Sequence, residues 1–213
     1  MIEVICVTYK QDWNLKCLIN SFKSQTSSNW FLRIIHDGEG GNFSNLKQDL
    51  ESNDYINNQV TLESTKKRFN DYGHSLRDYA LKNPIRDSTW TIITNGDNYY
   101  LPTVIESIEF HEQKNPDAQF LFWNLIQRFE KKIFTQLEKD IYQQLDSKLQ
   151  LGLIDMGAAA IKTSLARETG FNSREFEADF HYFKDCFKNL QKNYNIDSSK
   201  LVFKIPETLF VHI

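Results

Sequence analysis

Four small polar residues, Asn95-Gly96-Asp97-Asn98, interrupt the stretch TIITNGDNYYLP between a run of β-formers and two tyrosines. Thr91 to Thr94 are β-branched and uncharged, so they predict a short buried strand with the polar cluster at its carboxyl end. In open α/β sheets that edge is where ligands bind. One carboxylate between two carboxamides suits two chemistries there, oxygen donation to a hard divalent cation and hydrogen bonding to hydroxyl groups. An ordinary turn accounts for the same residues, since Asn-Gly and Asp-Asn are common turn pairs. A second strand-like stretch, WFLRIIHDGEGG, ends on His36-Asp37-Gly38 and places another carboxylate at a strand tip.

These tips must be set by the elements behind them. Ile2 to Tyr9 reads as a strand, and NLKCLINSFKSQ places Leu15, Leu18, Ile19 and Phe22 on one helical face. The strand ending at His36 follows, then a helix over SNLKQDLES, a strand over QVTLEST and a helix over GHSLRDYALKN. After the strand at Thr91 comes a helix over TVIESIEFHEQKN. This βαβαβαβα order predicts a parallel sheet covered by helices on both faces, with Asp37 and Asp97 along one edge. Further on, AQFLF predicts a strand that delivers Trp123-Asn124 to a pocket wall. GAAAIK reads as a strand and SLARET as a helix closed by Gly170. In RFEKKIFTQLEKDIYQQLDSKLQ, Phe129, Ile133, Leu137, Ile141 and Leu145 recur every four residues and predict one or two charged amphipathic helices forming a flap.

Composition excludes several classes. A chain of 213 residues, 40% hydrophobic, suffices for one sizeable core and is short for two domains. The net charge of −3 lacks the basic excess of nucleic-acid binders. Cys6, Cys17 and Cys186 are odd in number and widely spaced, which argues against a disulfide framework or zinc site and for a reducing cytoplasm. No apolar run reaches the ~18 residues of a membrane span, and the sequence enters a strand-like stretch with no signal-peptide pattern. VTYKQDWN carries no glycine, so neither a dinucleotide fingerprint nor a Walker A loop is present to cradle phosphates. A pyrophosphate would need a cation such as Mg²⁺ or Mn²⁺.

The order of VICVTYKQDWNLKCLINSFKSQ, RIIHDGEGGN, NDYGHSLRDYAL, TNGDNYYLP and GFNSREFEADFHYF resembles the family 2 glycosyltransferases with the A-type nucleotide-sugar fold. The resemblance covers most of the chain. It implies a single-domain, Rossmann-like α/β/α sandwich with a mostly parallel central sheet, 1–102 being a nucleotide-binding half and 103–213 an acceptor half. It further implies transfer of a sugar from a nucleotide sugar, a UDP-sugar above all, to a glycan or other hydroxyl acceptor, with inversion and with Mn²⁺ or Mg²⁺.

Carried over by residue, the resemblance places Thr8 and Tyr9 under the base and makes Asp37 an acceptor from base or ribose. The family's D-x-D-D run falls on Asn95-Gly96-Asp97-Asn98, with Asp97 as metal carboxylate and Asn95 turned to a ribose hydroxyl. Arg77 either reaches the nucleotide or pairs with Asp78 or a surface carboxylate. Asp155 to Gly157 lie near the donor sugar, Asp179 is the base with Glu177 its alternative, and His212 returns to the metal. His74 and His181 are close enough in sequence to these motifs to touch substrate. A non-catalytic nucleotide- or glycan-binding module is the alternative reading, because Asn replaces Asp at two places in the run. A sugar nucleotidyltransferase lacks its basic glycine-rich loop here.

Overall fold

A computed structural model of the chain describes residues 1–10, 12–39, 43–131, 139–175, 177–194 and 200–212. Strand β1 (Ile2–Thr8) is buried along its whole length. Its alternate residues enter two different cores: Ile2, Val4 and Cys6 pack on one side of the sheet, Ile5 and Val7 on the other. The first core takes α1 (Asp12–Lys23), α2 (Phe43–Ser52) and α4 (Val104–Lys114), with Leu15, Leu18, Ile19 and Phe22 of α1 wholly buried as their spacing predicts. The second takes α3 (His74–Lys82), α5 (Thr163–Thr169) and α6 (Ala178–Tyr194), through Leu76, Ala80, Leu165 and Phe183 among others. Helices therefore cover both faces, which is why the strands between them can be apolar on both sides.

The sheet runs in the order β3-β2-β1-β4-β8-β6-β9-β5, with β7 paired to β6. Its first half, β3 (Val60–Ser64), β2 (Trp30–His36), β1 and β4 (Trp90–Asn95), is parallel throughout. Beyond β4 the pairing is mixed. β8 (Ala159–Lys162) lies antiparallel to β4 and to β6 (Phe120–Lys131), while β9 (Val202–His212) is parallel to β6 and antiparallel to β5 (Asn98–Tyr100).

Two expectations change. The stretch expected to form amphipathic helices instead supplies the end of β6 and strand β7 (Lys139–Leu145), paired antiparallel from Leu125↔Leu145 to Lys131↔Lys139; Ile133 and Leu137 lie outside the described residues. Pairing along β6 overrides the helical spacing. Trp123 does not wall a pocket: it is fully buried in the first core, and Asn124 spends its side chain on Pro206 O at 2.9 Å and the Ser147 amide at 3.0 Å. Those bonds sit where β9 shifts register against Asn124, a bulge at Pro206, which has no N–H to give the ladder.

Candidate active site

Parallel pairing aligns the carboxyl ends of β1, β2 and β4, and the register fixes what meets there. Thr8 stands opposite His36, Val7 opposite Asn95, and Asp37 follows directly on β2. β8 runs the other way beside β4, so the turn that precedes it arrives at the same edge. In that turn Asp155 caps a short 3-10 helix, Met156–Ala158, its Oδ1 accepting from the Gly157 amide at 2.8 Å. β9 brings His212 opposite Asn98, and the first turn of α6 brings Asp179.

The result is one cleft of about 690 Å³ whose walls include Thr8, Tyr9, Asp37, Arg77, Asn95, Asp97, Asp155, Asp179 and His212. Three expected site residues stand elsewhere. Glu177 is exposed two residues before Asp179, and Gly96 is buried in the β4–β5 turn. Gly157 is packed so tightly that an added Cβ would lie 2.5 Å from the Phe210 ring, while its carbonyl accepts from the Tyr100 hydroxyl at 3.0 Å.

At one end of the cleft lies a planar cradle. The Arg68 guanidinium sits 3.6 Å over the Tyr9 ring, and its Nε is 3.7 Å from Asp37. Asp37 thus has a basic partner, supplied by a loop outside its own. The same carboxylate accepts from the amides of Phe69 at 2.8 Å and Asn70 at 3.0 Å. The loop it grips is contorted: Asn70, Tyr72 and Gly73 all have φ between 55° and 81°. For tyrosine that region is costly. Arg77 braces it by donating to Tyr72 O at 3.0 Å, and at Gly73 a Cβ would meet Val7 Cγ2 at 2.7 Å. Arg68, Asn70 and Tyr72 line the cleft and were not singled out from the sequence. The basic run before NDYG is a signal for Arg68, and Asn70 and Tyr72 lie within the NDYG stretch itself.

In the middle, the buried Arg77 donates to Asn95 Oδ1 at 2.6 Å and to His74 Nδ1 at 2.8 Å. It does not pair with Asp78, which binds Lys82 at 2.7 Å and the Phe171 amide at 3.0 Å. Asn95 spends its carbonyl oxygen on this bond.

At the far end are Asp155, Asp179 and His212. His212 Nδ1 lies 3.1 Å from Asn98 Oδ1 and 3.5 Å from Asp155 Oδ2. Two acceptors at Nδ1 put the proton there in the neutral ring, so Nε2 keeps its lone pair. A histidine whose second nitrogen is held by an acceptor, here Asn98 Oδ1 with Asp155 behind it, has the arrangement of a metal ligand. No group of three or more His, Cys, Asp or Glu side chains suited to a metal occurs among the described residues, and Asp97 and His212 both line the cleft. Burial, and secondarily Asp97, push Asp155 above the usual carboxylate range, against His212 and the Gly157 amide. Burial likewise raises Asp179; Arg77 opposes it, and Asp155 adds to it. Among the described residues the Asp179 carboxylate has no hydrogen-bond or ion-pair partner.

No sequence-family model and no curated protein sequence matches the chain. Solved structures do match in fold. The chain aligns with S. aureus TarS 1-349 in complex with UDP-GlcNAc at TM-score 0.70 and 10% identity, covering 99% of this chain and 58% of that one. With the UDP complex of TarS 1-349 the values are 0.69, 11%, 99% and 60%. With the mannosyltransferase PcManGT from Pyrobaculum calidifontis in complex with GDP-Man and Mn²⁺ they are 0.66, 13%, 99% and 56%. The chain therefore has the α/β fold of these glycosyltransferases and spans less than two thirds of their length. No helix among the described residues is long and apolar enough to cross a membrane.

Proposed function

We propose that the chain is a glycosyltransferase of the family 2 type, moving a sugar from a UDP-sugar or related donor to a hydroxyl acceptor with inversion, and that it depends on Mn²⁺ or Mg²⁺. The observation that carries this reading is Asp179: a largely buried carboxylate facing the cleft, with no partner among the described residues and with an affinity for protons raised by burial. A general base needs that combination.

On this reading 1–102 form the nucleotide half and 103–213 the acceptor half. Tyr9, Arg68 and Asp37 receive the base, since a guanidinium and a phenol ring offer flat faces and the carboxylate accepts an N–H. Arg77, with His74 and Asn95 around it, keeps positive potential beside the diphosphate. Asp97 and His212 Nε2 would hold the cation, which when bound supplies Lewis-acid neutralisation of the leaving diphosphate. Asp179 takes the proton of the acceptor hydroxyl as its oxygen bonds to the anomeric carbon and the bond from that carbon to the diphosphate oxygen breaks on the opposite face. Asp155, at the same end as Asp179, keeps His212 oriented. The three unbridged cysteines accord with a reducing compartment, the cytoplasm.

A non-catalytic nucleotide- or glycan-binding module is the second reading, favoured by Asn95, whose bond to Arg77 replaces a carboxylate that would add to the cation site. A screen of nucleotide sugars with Mn²⁺, scored by release of nucleoside diphosphate and by the anomeric configuration of the product, separates the two. Binding without release supports the module; release with retention overturns the inverting mechanism.

A further inference from the structure

The His74 ring opens α3, is buried, and is bonded at both nitrogens. Nδ1 lies 2.8 Å from Nη1 of Arg77, and Nε2 lies 3.0 Å from the carbonyl oxygen of Glu175. Arginine can only donate and a carbonyl can only accept. One protonation state alone satisfies both contacts, the neutral ring with its proton on Nε2. The other tautomer would set N–H against N–H at Arg77 and lone pair against lone pair at Glu175. An imidazolium would lose the Arg77 bond and bring two cations together. Burial, and then the Arg77 charge, hold His74 below the usual histidine range, against the Glu175 carbonyl, Asp179 and Asp71. Phe171 stacks on the ring at 5.3 Å and 21°, which fixes its plane.

Each bond leads to a different part of the cleft. Arg77 continues to Asn95 Oδ1 at 2.6 Å, at the tip of β4. The Glu175 carbonyl also accepts from the amide of Ala178 at 3.1 Å, the first residue of α6 and the one before Asp179. The segments joined in this way are 101 residues apart in the chain.

We propose that His74 is a positioning residue: its Nε2–H tautomer sets Arg77 against Asn95 in the middle of the cleft and the Asp179-bearing turn of α6 at its far end. This role rests on the reading of the cleft as a sugar-transfer site; the ring's protonation and its bonds do not.

Two substitutions divide the ring's work. Asparagine places its amide near the position of Nδ1, so His74→Asn keeps the acceptor for Arg77 and drops the bond to Glu175. Glutamine reaches the position of Nε2, so His74→Gln keeps the donor for Glu175 and drops Arg77. His74→Asn should lower turnover about 5- to 10-fold, leave nucleotide affinity unchanged and speed amide hydrogen exchange over 171–175. His74→Gln should weaken nucleotide binding about 5- to 10-fold and leave that exchange slow. In the unmodified chain, nitrogen NMR should find the proton on Nε2 and none on Nδ1. A proton on Nδ1 overturns the proposal, as do two variants that behave alike or like the parent. If a variant does not fold, the ring nitrogens of the unmodified chain still decide. A chain that turns over no donor defeats the sugar-transfer reading, whereas the ring nitrogens and the exchange rates test His74 without it.

Discussion

Nη2 of Arg77 lies 2.6 Å from Oδ1 of Asn95, so a fully buried guanidinium is held by a neutral amide. Arg77 has no carboxylate within ion-pair distance among the described residues, although Asp179 and Asp155 act on it through space. Removing the amide oxygen strands a buried charged donor. Asn95→Leu should therefore cost on the order of 1.5–3 kcal/mol of folding stability. Urea unfolding checks this, and a change below ~0.5 kcal/mol would mean that the bond is not formed in solution.

Asp37 carries two duties, since its carboxylate faces the cleft and also grips the left-handed loop through the amides of Phe69 and Asn70. Asp37→Ala should lose stability by about 2–4 kcal/mol, two bonds to a charged acceptor being removed. Asp37→Asn keeps one acceptor oxygen and should lose less. Both should weaken UDP binding in calorimetry. Unchanged UDP affinity in Asp37→Asn would free the carboxylate from any role in base recognition.

If Asp97 and His212 hold the cation as proposed, the site should fill only when diphosphate oxygens complete the shell. Mn²⁺ binding, followed by paramagnetic resonance, should be weak alone and tighten when UDP is added. UDP should bind correspondingly less well with EDTA or in Asp97→Asn. UDP affinity indifferent to both treatments would refute a metal bridge.

Asp179 gives a pH dependence whose sign follows from its raised proton affinity. When the folded state holds a proton more tightly than the unfolded state, the associated stability is present below the ordinary aspartate range and is lost as pH rises through the folded pKa. At neutral pH the burial of Asp179 therefore costs the fold. Asp179→Asn should raise Tm at pH 7, the gain should vanish in acid, and turnover should collapse while UDP stays bound. The acid limb of the kcat/KM profile should lie above that of an ordinary aspartate. A variant with lower stability at pH 7 or near-parental turnover would remove Asp179 from the role of base.

The strands with the plainest local signals were legible. Ile2 to Thr8 and Trp90 to Asn95 are short β-branched runs buried on both faces, and α1 shows its apolar face in its spacing. The tips that carry Asp37 and Asp97 followed from the parallel order. The hairpin of β6 and β7 did not, because its apolar residues every fourth position fit a helix, and only partner strands distinguish the two; Tyr142, 53% exposed, lies on a strand. The cleft loop was hidden for another reason. Its left-handed turns fall on Asn70 and Tyr72 as well as on Gly73, and what holds them is a carboxylate over 30 residues upstream. No local pattern records such a contact.

β9 enters the sheet between β6 and β5, and His212 meets Asn98 across a separation of 114 residues. Contacts this distant close late, since the entropy of the intervening loop must first be overcome. β1, β2 and β3 can pair with nearer partners before β9 docks, although β1 reaches β4 across a separation at least as long as that between β6 and β9. Until then the edges of β5 and β6 stand open, and the end of the cleft with Asp155 and His212 does not exist. That end of the cleft is thus a product of long-range pairing, so on the proposed reading competence to bind a cation with a diphosphate would report that β9 has docked.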